Sequence, residues 1–108
     1  MMLKSILIAA TMLASSGAAM ANCYEQIGCD DSQYYSKNQM RQLSCDSLWL
    51  VRNGIYAQNG YCFKTQRGIS TFGNGQCSVN DQARVSLNAY ERDNVGVIVA
   101  VEKSKGCR

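Results

Sequence analysis

No histidine occurs among the 108 residues of this chain. Its absence removes Ser-His-Asp, Cys-His and histidine-metal chemistry at one stroke. No two cysteines are spaced as C-x-x-C either, and zinc sites almost always rest on such a pair or on histidine. No metal and no cofactor is therefore expected. Charge of one sign is also missing: the formal net charge is +3, and the basic residues stand singly along the chain rather than in a stripe. A nucleic-acid partner is not expected from that balance. The apolar run near the start is shorter than the roughly 18 residues that span a bilayer.

What is present begins with an export signal. Lys4 precedes an apolar run from Ile6 to Met20, broken only by small polar residues and a glycine. The run ends in Ala19-Met20-Ala21, with small residues at both positions a signal peptidase reads. Cleavage is expected after Ala21, making 1–21 a signal peptide and 22–108 a single periplasmic or secreted domain without a transmembrane segment. A lipoprotein would need a small residue before Cys23, and Asn22 stands there. The domain keeps all six cysteines: Cys23, Cys29, Cys45, Cys62, Cys77 and Cys107. A domain this small buries only about 60 to 65% of the surface its unfolded chain exposes, so covalent staples are expected. An even cysteine count after an export signal reads as three structural disulfides.

The first part of the domain is polar and reads as an irregular arm closed by Cys23 and Cys29. Asp30-Asp31 there is a turn, because the alternating ligands and central glycine of a calcium loop are missing. Ser36-Lys37-Asn38-Gln39 has the form of a capping box, predicting a short helix through Leu43 that offers Met40 and Leu43 to the core. Ser44 is the next N-cap, and the main helix starts near Cys45. Leu48, Val51, Ile55 and then Asn59 fall on one stripe, with Trp49, Arg52 and Tyr56 in the row beside it. Gly54 weakens this helix by about 1 kcal/mol relative to alanine, and Gly60 ends it.

Thr65 caps a further short helix in which Ile69 and Phe72 stand three apart, and Gly73 closes it. Gly73-Asn74-Gly75 is a turn that returns Cys77 to Cys62, and Ser78 to Ser86 reads as loop. In the last segment Val95, Val97, Val99 and Val101 alternate as a strand would. However, Asn88 and Glu91 form a capping box and Gly106 a stop, so a helix is predicted, with Val95, Ile98, Val99 and Glu102 on its face. Two long helices packed antiparallel place Cys45 beside Cys107. The expected pairing is then Cys23–Cys29, Cys45–Cys107 and Cys62–Cys77. The fold class is mainly α: a small disulfide-stapled domain with two longer packed helices, one or two short ones and an irregular N-terminal arm.

The centre of the chain resembles the YARHG domain, a small extracellular domain of exported bacterial proteins named after its own motif. The resemblance rests on Leu43-Ser44, the run from Leu48 to Asn53, Ile55-Tyr56-Ala57, Gly60-Tyr61 and Phe63. It continues at Leu87, Glu91-Arg92, Asn94-Val95, Ile98 and Glu102. The stretch from Gly60 to Thr65, the turn at Phe72-Gly73-Asn74 and the terminal Gly106-Cys107 resemble a cysteine-bearing subtype. Gln58-Asn59 stands where the motif has Arg-His, and Gly54 replaces a helix-favouring residue. No role of those positions is carried over. The resemblance implies a mostly helical fold, export and an accessory role at the cell envelope.

Only carboxylates remain as acid and base. A wall hydrolase would need two of them across a desolvating cleft. Glu91 is better used as a cap, Glu102 sits at a helical position, and Asp30-Asp31 lie in the arm, so no enzyme is expected. Arg52, flanked by Trp49 and Tyr56, can stack on a ring and still reach a carboxylate. The structural reading is a bridge from Arg52 to Glu91 or Glu102, and the functional one is ligand binding. Trp49, Tyr56, Tyr61 and Phe63 read as packing around the helix stop, whereas Tyr24, Tyr34 and Tyr35 are freer and are candidate anchors. The expected function is a non-enzymatic binding module with peptidoglycan or an envelope protein as partner. The alternative is an inhibitor or immunity protein that blocks a cell-wall hydrolase with a loop such as Gly73 to Asp81.

Overall fold

The computed structural model describes residues 22–108, and the expected signal peptide at 1–21 lies outside the described residues. A two-stranded antiparallel hairpin, β1 (Cys23–Tyr24) and β2 (Gly28–Cys29), precedes four helices. These are α1 (Lys37–Arg41), α2 (Cys45–Gln58), α3 (Gln66–Phe72) and α4 (Ala89–Lys105). The domain is mainly α, with α2 and α4 as the longer, mutually packed pair. No described helix is long and apolar enough to cross a membrane.

Each helix begins where a side chain can satisfy backbone donors. Ser36 and Gln39 form the expected box on α1, and Ser44 accepts from Ser47 N on α2. Thr65 accepts from Gly68 N on α3, and Asn88 and Glu91 form a second box on α4. Caps of this kind are worth about 1 kcal/mol each. Gly60 (φ +92°) and Gly106 (φ +72°) leave the two long helices through backbone that side chains disfavour. With both ends of α4 capped in this way, its alternating valines wind into a helix rather than a strand.

The core gathers Met40 from α1, Leu48, Val51 and Ile55 from α2, and Ile98 and Val101 from α4, with Ile27 and Tyr35 from the arm. Met40, Leu48, Ile55 and Ile98 are fully buried, and each contributes about 1.5 to 3 kcal/mol of apolar burial. The buried row of α4 is Glu91, Asn94, Ile98 and Val101, not the expected Val95, Ile98, Val99 and Glu102. Two polar residues enter because each finds hydrogen-bond partners inside, and that turns the helix by one position. On α3 Ile69 is exposed with most of its neighbours; the helix docks through Gly68, where a Cβ would lie 2.6 Å from Phe63 Cδ1. A bare glycine is what lets the Phe63 ring lie against the helix.

The disulfides are Cys23–Cys29, Cys45–Cys107 and Cys62–Cys77, the pairing expected from local closure of the arm, antiparallel long helices and the turn after α3 respectively. The segment after α3 is more ordered than a plain loop. Asn74 accepts from Phe63 N and donates to Phe63 O, both at 2.9 Å. Tyr61 and Val79 form a parallel bridge, and Gln82–Arg84 makes a 3-10 turn.

Candidate functional site

The central helix α2 carries Arg52, Trp49 and Tyr56 on one row, and its neighbours absorb all three. Arg52 meets Glu102 of α4 in a bidentate pair, Nε to Oε1 at 2.8 Å and Nη2 to Oε2 at 3.1 Å. Both side chains are largely buried. Of the two expected carboxylates, Glu102 takes the guanidinium and Glu91 does not. The cation over the Trp49 ring is Arg67 of α3, 3.8 Å from its centroid. Trp49 stacks on Phe72 at 6.0 Å and Phe72 on Phe63 at 5.1 Å. Edge contacts then link Phe63 to Tyr61 at 4.9 Å and Tyr61 to Tyr56 at 6.0 Å. This five-ring ladder staples α3 and the exit of α2 together, and the Cys62–Cys77 bond sits beside it.

Because the Arg52–Glu102 pair ties the two long helices at low solvent exposure, Arg52→Met is expected to destabilise the domain. The loss is about 1 to 3 kcal/mol, between the values for exposed and buried pairs. Denaturant unfolding measures it, and an unchanged midpoint together with lost partner binding would place Arg52 in recognition instead.

The arm divides the tyrosines. Tyr35 is a correction: it is 3% exposed, packs in the core, and donates its hydroxyl to Gly28 O at 3.2 Å. Burial, reinforced by the nearby Asp30 carboxylate, holds its hydroxyl far above the usual phenol range. It is drawn inward because its backbone N donates to Asn94 Oδ1 at 2.8 Å, fixing the residue against α4. Tyr24 is also partly buried against the core, and burial raises its hydroxyl as well, with Asp30 adding to the effect. Tyr34 remains outside at 59% exposure, packed at a 40° tilt against Tyr90 of α4 with ring centroids 4.5 Å apart. Tyr90 escapes a reading for core positions because it lies off the apolar row of α4. Its position two residues after the Asn88 cap, beside the arm, is the signal that could have found it.

Beneath the tyrosines lies a cluster of buried polar groups. Asp30 is fully buried, not a surface turn residue. Its Oδ1 accepts from Gln58 Nε2 at 3.0 Å, and its Oδ2 from Asn22 Nδ2 at 3.2 Å. Gln58 Nε2 donates also to Glu91 Oε2 at 3.1 Å, which takes Asn59 Nδ2 at 3.0 Å as well. Asn94, also fully buried, donates to Asp30 O and Gln33 O at 3.0 and 2.8 Å. Gly54, expected only to weaken α2, is where the arm approaches. Asn22 Nδ2 donates to Gly54 O at 3.0 Å, and a Cβ there would lie 3.1 Å from Asn22 Nδ2 and 3.4 Å from the Tyr24 hydroxyl. Gln58 and Asn59, in the places of the motif's Arg-His, are thus the amides that bind the arm and α4 to the end of α2.

Every residue of this cluster is spent on joining the arm to the helix pair. The open surface lies elsewhere. A groove of about 450 Å³ runs between the hairpin and α2, lined by residues that include Tyr24, Ile27, Leu43 and Leu50. The family model of the YARHG domain matches residues 24–103. The chain belongs to the YARHG domain family. As a YARHG domain carrying three disulfides, it is a small domain of extracellular type. No curated protein and no solved structure matches it.

Proposed function

We propose that this YARHG domain is a non-enzymatic binding module of the periplasm or the secreted fraction, and that it recognises peptidoglycan or a protein held on it. The observation that carries the reading is the exposed Tyr34–Tyr90 pair. Two rings packed together at a 40° tilt present an apolar area with polar tips whose mutual contact lowers the entropic cost of binding. Carboxylate chemistry has no free pair to use: Asp30 and Glu91 bind amides inside the domain, and Glu102 holds Arg52.

A second reading, an inhibitor of a wall hydrolase acting through residues 73–81, is favoured by one feature. That loop is braced at both ends, by Asn74 on Phe63 and by the bridge of Val79 to Tyr61, as a preorganised inhibitory loop needs to be. Co-sedimentation with isolated sacculi separates the two. Binding to sacculi is expected, and its loss after protease treatment of the sacculi assigns the partner as protein. A protein that stays in the supernatant with both preparations would shift the assignment to the inhibitor.

A further inference from the structure

Asp30 and Glu91 come from opposite ends of the domain sequence and meet at one donor, Gln58 Nε2. No basic side chain makes a hydrogen bond or ion pair with either carboxylate among the described residues. The titratable groups that face Asp30 are Tyr24, Asp31 and Tyr35 on its own segment and Glu91 on α4. From α2 come only the amides of Gln58 and Asn59, while Arg52 is committed to Glu102. Two carboxylates close together in a poorly solvated place, with neutral donors alone, resist carrying two charges. One further atom is out of balance. Gln58 Oε1 is buried and has no hydrogen-bond partner, a state that costs about 1 to 3 kcal/mol in a protein interior.

We propose that this cluster takes up one proton on Asp30 as its surroundings acidify, and that the proton fastens the N-terminal hairpin to α2 and α4. A neutral Asp30 removes the repulsion with Glu91. It also places an O–H donor beside the Gln58 amide, whose Oε1 has no donor, so turning that amide over lets Oε1 accept from Asp30 in exchange for the Nε2 donation. The hairpin responds because Asp30 is its anchor. Asp30 N donates to Asn22 O, Asp30 O accepts from Asn94, and Asn22 reaches on to Gly54 of α2. The domain therefore closes more tightly in acid, the reverse of the usual surface carboxylate, and this device is independent of what Tyr34 and Tyr90 bind.

The direction of the Asp30 titration agrees. Burial pushes its carboxyl above the ordinary aspartate range and Glu91 adds to the rise, against lowering by hydrogen bonds from Gln58 and Asn22. With the folded state holding the proton more tightly than the unfolded chain, the stabilisation is complete below the ordinary aspartate range. It is lost as pH rises through the folded midpoint.

Carbon-13 titration of the Asp30 carboxyl in the exported chain, paired with hydrogen exchange of the hairpin amides, tests this. The carboxyl is expected to titrate above the ordinary aspartate range, and hairpin protection, corrected for intrinsic exchange, to rise about twofold or more as pH falls from neutral through the Asp30 midpoint that the titration reads. Asp30→Asn, neutral throughout, is expected to lose the response. Should that variant fail to fold, Gln58→Arg serves, since a guanidinium meeting both carboxylates removes the need for the proton and abolishes or reverses the response. An Asp30 midpoint at or below the ordinary range, protection that is flat or falls in acid, or a wild-type response in the variant that folds would overturn the proposal.

Discussion

Replacing Cys45 and Cys107 together by serine is expected to cost about 4 kcal/mol of stability, more than loss of either other disulfide in the chain-entropy model. The bond closes a loop with a sequence separation of 62, against 15 for Cys62–Cys77 and 6 for Cys23–Cys29. It also ties the start of α2 to the residue just past the end of α4, so the antiparallel pair that holds Leu48, Val51, Ile55, Ile98 and Val101 is set at one end by a covalent bond. Stability of small domains is of the order of 5 to 15 kcal/mol, and this one has a small core. Guanidinium unfolding of the double variant should show a midpoint shifted far down or a chain already unfolded at physiological temperature. A midpoint near that of the wild type would mean that the helix interface alone sets the pair.

The second large effect is expected at Asn94. Its side chain accepts from Tyr35 N and donates to Asp30 O in the buried seam between the arm and α4, and donates to Gln33 O at the partly buried edge of that seam. Asn94→Ala removes the partner of two buried backbone groups, Tyr35 N and Asp30 O, and of the partly buried Gln33 O, and a loss of about 2 to 4 kcal/mol is expected. The loss should have a location. Exchange of the Tyr35 amide and the hairpin should accelerate well before that of α2, because the Leu48–Val51–Ile55 row packs also on Met40, Ile98 and Val101. Uniform acceleration across all four helices would contradict an arm that docks through Asn94.

The residues show why the helices were legible in the sequence and the arm was not. Ser36 with Gln39, Ser44, Thr65, and Asn88 with Glu91 are local signals, each complete within four residues, and every one starts a helix. The Cys45–Cys107 pairing follows from the antiparallel arrangement, because helix length fixes which ends meet, whereas the other two disulfides close short local loops. The polar seam had no such local sign. Asp30 and Asn94 are 64 residues apart in the chain, and each reads alone as a surface residue. Only their meeting makes burial tolerable. The resemblance to the YARHG domain did include Glu91 and Asn94, yet a matched position does not say which way a side chain faces. The same limit applies to Tyr34 and Tyr35, neighbours in a polar stretch, one packed outside against Tyr90 and the other drawn inside by Asn94.

Arg52 shows the opposite case. Its spacing from Trp49 and Tyr56 drew attention as possible recognition chemistry, while α4 holds a carboxylate at the matching height and takes the charge. Arg52 thus belongs to the seam between the two long helices, while Trp49 and Tyr56 beside it pack on Phe72 and Tyr61. The recognition proposed above therefore falls to the outward tyrosines at the other end of α4.

Sedimentation of wild-type protein and a Tyr34→Ala, Tyr90→Ala variant with sacculi is the most direct test of that assignment, with melting recorded on both. The account predicts that the wild type pellets and that the variant, melting within a few degrees of it, stays in the supernatant. A well-folded variant that pellets as the wild type does would contradict it.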